Sequence, residues 1–151
     1  MKASNTRNQF TVLIIGDIIV LALFLLIGEI QHAMFVAYNP IIRTLMQAAM
    51  VAPPVILLSW LLGVYAHPPM NSWRDIALFL LRSAVAWVLA VPLGLVIRAW
   101  GLQSPTIVMP FVNAAFGFGG LMLLIWRGAY AVIALAKHRR HAATTMRVAG
   151  K

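Results

Sequence analysis

The sequence predicts an all-α fold: an integral membrane four-helix bundle with short loops and both termini on the cytoplasmic side. Three observations predict it. First, 62% of the 151 residues are hydrophobic and only 10% are charged, whereas a soluble domain runs near ~45–50% apolar and ~25% charged. Too little polar surface remains to cover a water-soluble core. Second, four apolar runs reach the ~20 residues that a helix needs to cross a bilayer. None alternates with the period of two that a strand would show. Third, ten of the twelve Lys and Arg residues fall on or toward one side of those runs, and only Arg43 and Arg98 toward the other. That bias places the basic side in the cytoplasm.

The elements follow in order. Residues 1–9 form a basic N-terminal tail carrying Lys2 and Arg7, and residues 10–30 form the first span. This run exceeds the roughly 7–15-residue core of a signal peptide, and Gly28-Glu29-Ile30-Gln31-His32 offers no small-residue cleavage site. An uncleaved span is expected. Asn39-Pro40 marks a turn before the second span at 44–65. His67-Pro68-Pro69 with Asn71-Ser72 leads into the third at 76–99, and Gly101 with Ser104-Pro105 leads into the fourth at 107–134. Residues 137–151 make a basic C-terminal tail suited to anionic lipid. Trp73 and Trp100 stand at span ends, where indole rings favour the headgroup layer.

Ionisable residues inside a span are costly and face the bundle interior or a wet cavity. Asp17, Arg82 and Arg127 come from three different spans at similar depth and form an expected inner polar layer, either a lock between helices or a conduit. Asp17 can pair with either arginine. An outer layer is expected from Glu29, Gln31, His32, Arg98 and Asn113. Helical spacing places Asn113, Gly117, Gly120, Leu124 and Arg127 on one face of the fourth span, with Gly117 and Gly120 read as helix-packing residues. Pro53-Pro54 and Pro92 interrupt the second and third spans, each freeing a carbonyl.

Several chemistries find no support. With no cysteine, disulfides, thiolate metal sites and cysteine nucleophiles are excluded. The three acids, Asp17, Glu29 and Asp75, do not assemble a catalytic carboxylate pair; the first two are ~18 Å apart along one helix. No phosphate loop, nucleophile elbow or zinc-helix motif is present. His32 and His67 lie at opposite faces, so they cannot share a haem. His32 is expected to be an interfacial histidine, with one-sided ligation of a pigment as the alternative. Nucleic-acid binding is not expected, because the basic tail lacks an aromatic platform. Neither a cofactor, a metal nor an enzymatic activity is expected.

Several of these residues resemble a prokaryotic family of small four-span membrane proteins, the domain of unknown function three thousand and fifty-four. The resemblance rests on Gly16-Asp17, on Gly28 followed by His32, on Gly94 with Arg98, and on Trp126-Arg127, over roughly residues 11–130. Glu29 stands where the family often has a basic residue, and Pro53-Pro54 where a proline–aromatic pair is more usual. The resemblance implies a fold and a location in the membrane and no particular activity. For function, the sequence favours a non-catalytic accessory or assembly subunit of a larger complex in the prokaryotic cytoplasmic membrane. The alternative is a small oligomeric transporter or channel for a proton or small anion.

Overall fold

A computed structural model describes residues 2–31, 39–66, 70–101, 103 and 109–149, with side chains described between 10 and 140. The described residues form α1 (Lys2–Gln31), α2 (Pro40–Leu61), α3 (Trp73–Gly101), α4 (Met109–Ala114), a π-helical segment (Ala115–Gly119) and α5 (Gly120–Ala149). The last three run on as one interrupted span. Four helical stretches are thus long and apolar enough to cross a membrane: Phe10–Gln31, Ile41–Leu61, Trp73–Gly101 and Met109–Arg140. The chain is an all-α, multi-pass membrane protein. Its outer surface carries large apolar side chains such as Ile15, Leu57, Leu89 and Ile125, as lipid-facing helices must.

The helix ends differ from the sequence expectation for local reasons. α2 begins at Pro40, earlier than expected, because the Asn39 side chain caps it by accepting from the Ile41 N–H at 3.0 Å. It stops at Leu61 because Gly63 adopts a left-handed φ of +70°. The Gly63 N–H then donates to the Trp60 carbonyl and the Val64 N–H to the Ser59 carbonyl, at 3.0 and 2.8 Å. This is a Schellman motif, and its apolar closing residue, Val64, is fully buried. At the other end of the chain α5 continues through the basic segment to Ala149, and α1 already begins at Lys2, so much of both terminal tails is helical.

One stripe of each helix is buried. On α1 it is Leu13, Asp17, Leu21, Leu25 and Glu29, four residues apart throughout; on α5 it is Leu123, Arg127, Ala131 and Leu135. α2 and α3 form the most extensive helix pair. Gly94 of α3 receives Val51 and Pro54 of α2, so the second interrupting proline is a packing surface; Pro53 and Pro92 face outward. The core divides into two apolar clusters. One gathers Leu21, Phe24, Val55, Trp87, Ala90 and Leu123, the other Leu13, Val64, Ile76, Phe79 and Ala131.

Candidate functional site

Between the two clusters every span places one polar side chain. Asp17 lies one turn from Leu13 and from Leu21, and Arg127 one turn from Leu123 and from Ala131. Ser59 lies one turn from Val55, and Ser83 one turn from Phe79 and from Trp87. All four polar residues have 0% relative exposure. A continuous apolar stripe would have packed these helices, so this layer is a specific addition to the core.

Asp17 and Arg127 form its centre. Arg127 Nε donates to Asp17 Oδ1 at 3.1 Å and Nη2 donates to Oδ2 at 2.7 Å, a bidentate pair. Nη2 also donates to Ser59 Oγ at 2.8 Å. The Tyr65 hydroxyl donates to Asp17 Oδ2 at 2.6 Å, delivered there by the turn that Gly63 opens. The Ser83 hydroxyl donates to the Phe79 carbonyl at 2.8 Å. Arg127 Nη1 and the neighbouring Trp126 Nε1 are buried and have no hydrogen-bond partner among the described residues.

Two flanking residues explain how the pair is brought together. A Cβ on Gly16 would lie 1.9 Å from Trp126 Cζ2, so the indole sits directly on bare α1 backbone. Gly16 therefore lets α5 approach α1 closely enough for the next residue of each, Asp17 and Arg127, to meet. Gly16-Asp17 and Trp126-Arg127 work as one device.

The expected inner layer loses one member. Arg82 does not join it; the side chain is exposed, and its Nη1 lies 3.8 Å from where a Cβ on Gly63 would stand. It reaches toward the C-terminal end of α2, where helix carbonyls favour a cation. Asp17 is therefore matched by a single arginine, Arg127, in place of the two expected.

A second polar group surrounds Glu29. Gln47 Nε2 donates to Glu29 Oε1, and Arg43 Nε lies 3.3 Å from the same oxygen. Arg98 Nε donates to Gln47 Oε1 at 3.2 Å, and its guanidinium lies 4.4 Å from the Phe111 ring centroid. Glu29 and Arg98 are thus joined through Gln47, with Arg43 making the direct ion pair. Thr44, one residue from Arg43, buries an Oγ1 with no partner among the described residues. Gln31 and Asn113 are exposed and stand outside the group; His32 lies outside the described residues. Twelve residues of helix separate Asp17 from Glu29, about 18 Å along the axis.

The fourth span also departs from its expected face. The π segment, closed by i→i+5 bonds, inserts an extra residue and rotates what precedes it relative to α5. Gly120 is buried, where a Cβ would meet Trp87 Nε1 at 2.8 Å, whereas Gly117 is exposed with open space before it. The Trp87 indole donates to the Ala115 carbonyl at 3.2 Å, within the segment where the helix register changes.

Sequence reasoning missed Ser59, Tyr65, Gln47 and the pairing role of Arg43. Among the described residues no group of three His, Asp or Glu could hold a metal ion. A family model, DUF3054, described as a protein of unknown function, matches residues 14–130 and so spans both halves of the central pair. The chain belongs to the DUF3054 family. The matched stretch reaches from within the first span into the fourth, so the whole polar layer lies inside the DUF3054 region. No curated protein and no solved structure matches the chain significantly.

Proposed function

We propose that this DUF3054 protein is a small oligomeric transporter or channel of the prokaryotic cytoplasmic membrane, moving a proton or small anion through the Asp17–Arg127 layer. The observation that carries the reading is a bidentate ion pair at 0% exposure whose arginine keeps one nitrogen unfilled. Helix packing alone does not call for it. Replacing a buried pair by apolar side chains of similar volume is often neutral or stabilising, by roughly 1–4 kcal/mol. A second charged group about 18 Å along the same stripe of α1 gives the inner layer a counterpart near the other end of the bundle. An accessory subunit calls for neither.

The apolar cluster between the two groups is the barrier in this reading. Trp87 and Phe24 fill it, and Trp87 bonds the π segment. A shift of that segment between π and α registers would turn Gly119 and Gly120 away from the indole and open the barrier. Four packed helices leave little room for a continuous path, so the reading takes two or more copies. The basic bias of the chain orients both termini to the cytoplasm, and the basic end of α5 meets anionic headgroups. No catalytic step is assigned.

The test is flux into proteoliposomes, with an internal pH dye under a proton gradient and an anion-sensitive dye under an anion gradient. Protein-dependent movement of either species is expected. No movement under either gradient, together with a defined hetero-complex by native mass spectrometry from the source membrane, would return the protein to the subunit role.

A further inference from the structure

Arg127 has more donors than the protein fills. A guanidinium carries five N–H groups, has no acceptor, and cannot shed its charge. The Nε/Nη2 edge is committed to Asp17, and Nη2 also serves Ser59. Nη1 brings two further N–H groups into a region with no solvent exposure and finds no partner among the described residues. An unmade hydrogen bond on a buried charged group is among the costlier defects in a folded protein. Asp17 cannot remove it, because both of its oxygens lie along the Nε/Nη2 edge and Nη1 stands on the far side of the guanidinium.

We propose that the buried, unfilled Nη1 group of Arg127 is a binding site for a small monovalent oxyanion of the carboxylate class, with Asp17 as its tethered competitor. This rests on the conduit reading and names its substrate class. Two features of the layer select such a ligand. The unfilled groups are donors only, so the occupant must supply acceptors. The two N–H groups of Nη1 each take one acceptor, which the two oxygens of a small carboxylate supply.

The Arg127–Asp17 pair is balanced, and the excess of one positive charge lies in the group of Arg43 and Arg98 against Glu29. Asp17 then has a second role. By occupying one edge of Arg127 it weakens the hold on a free anion, and a site that must release its ligand needs that weakening.

The experiment uses the full chain, arginine-labelled with ¹⁵N, in nanodiscs of neutral lipid. Sodium formate is titrated against sodium gluconate at constant ionic strength. The Arg127 guanidinium signals, identified by their loss in Arg127→Lys, are expected to shift saturably with formate and not with gluconate. In Asp17→Asn the midpoint is expected to fall at least tenfold. If Arg127→Lys does not fold, Ser59→Ala identifies the same signals by displacing them. A trapped water overturns the proposal: the Nη1 protons then exchange with water and no saturable formate shift occurs. Formate binding without flux in liposomes would keep the site and reject the conduit. Proton flux without formate binding would keep the conduit and reject the anion.

Discussion

Replacing Gly16 by alanine tests the device that brings the central pair together. The added Cβ would stand 1.9 Å from Trp126 Cζ2 and 2.2 Å from Cε2, whereas carbon atoms pack at ≈3.5–4.0 Å. The indole must therefore retreat by roughly 1.5 Å or more, or α1 and α5 must part. Retreat is resisted by Tyr130, whose ring centroid lies 6.5 Å from that of Trp126 on the same helix. Parting the helices stretches the 2.7 Å bond between Arg127 and Asp17. Forced overpacking costs typically about 1–3 kcal/mol and sometimes more, and the close approach puts this case near the top, about 3 kcal/mol. For a chain of this size that is a fall in Tm of roughly 6–12 °C.

The assay is thermal melting in mild detergent, followed by the loss of monodisperse protein. Trp126→Leu provides the control, because it removes the ring that the new methyl strikes. In that background Gly16→Ala is expected to cost less than about 0.5 kcal/mol, giving a coupling energy of roughly 2 kcal/mol or more between the two positions. A Gly16→Ala protein that melts with the wild type, or loses the same amount in both backgrounds, would refute the reasoning.

Three further outcomes follow from the same geometry. Arg82→Gln removes an exposed arginine outside the polar layer; melting is expected to change by no more than about 0.5 kcal/mol, and flux per molecule to stay at the wild-type level. Gly63→Ala forces a side chain into a backbone with φ of +70°, so a loss of about 1–2 kcal/mol is expected. Tyr65 should also shift from Asp17, seen as a change in tyrosine fluorescence or Raman signature. Trp87→Ala empties part of the cluster between the polar groups and removes the bond to the Ala115 carbonyl. It is expected to raise flux in liposomes while lowering stability by about 3–5 kcal/mol; unchanged flux would remove Trp87 from the barrier.

Much of the framework was legible from residue type alone. Four apolar runs and their punctuation predicted the spans, and the cost of charge in lipid singled out Asp17 and Arg127 before any geometry was available. Arg82 misled because depth in sequence does not fix direction. A long arginine side chain can turn back to the surface, and here it lies near Gly63 at the end of α2. Ser59 and Tyr65 were illegible for another reason. Both are neutral and stand near a span end, where polar residues read as loop material. Gly63 carried the missing signal, since a glycine just past an apolar run is a helix stop and fixes where Tyr65 must turn. The face of the fourth span failed because regular helical spacing was carried across Ala115–Gly119, where the π register breaks it. Gln47 was hidden for want of a charge, although it stands one helical turn from Arg43 on the same face.

The central claim is that the buried Asp17–Arg127 pair works in transport, beyond holding the helices together. The most direct measurement is flux per folded molecule in Asp17→Asn proteoliposomes, with the folded amount counted by monodisperse gel-filtration recovery. The asparagine keeps the shape of the side chain and one acceptor for Arg127. The account predicts recovery close to the wild type with flux altered at least tenfold. Wild-type flux per folded molecule would contradict it, and so would the loss of folded protein with no change in the activity of what remains.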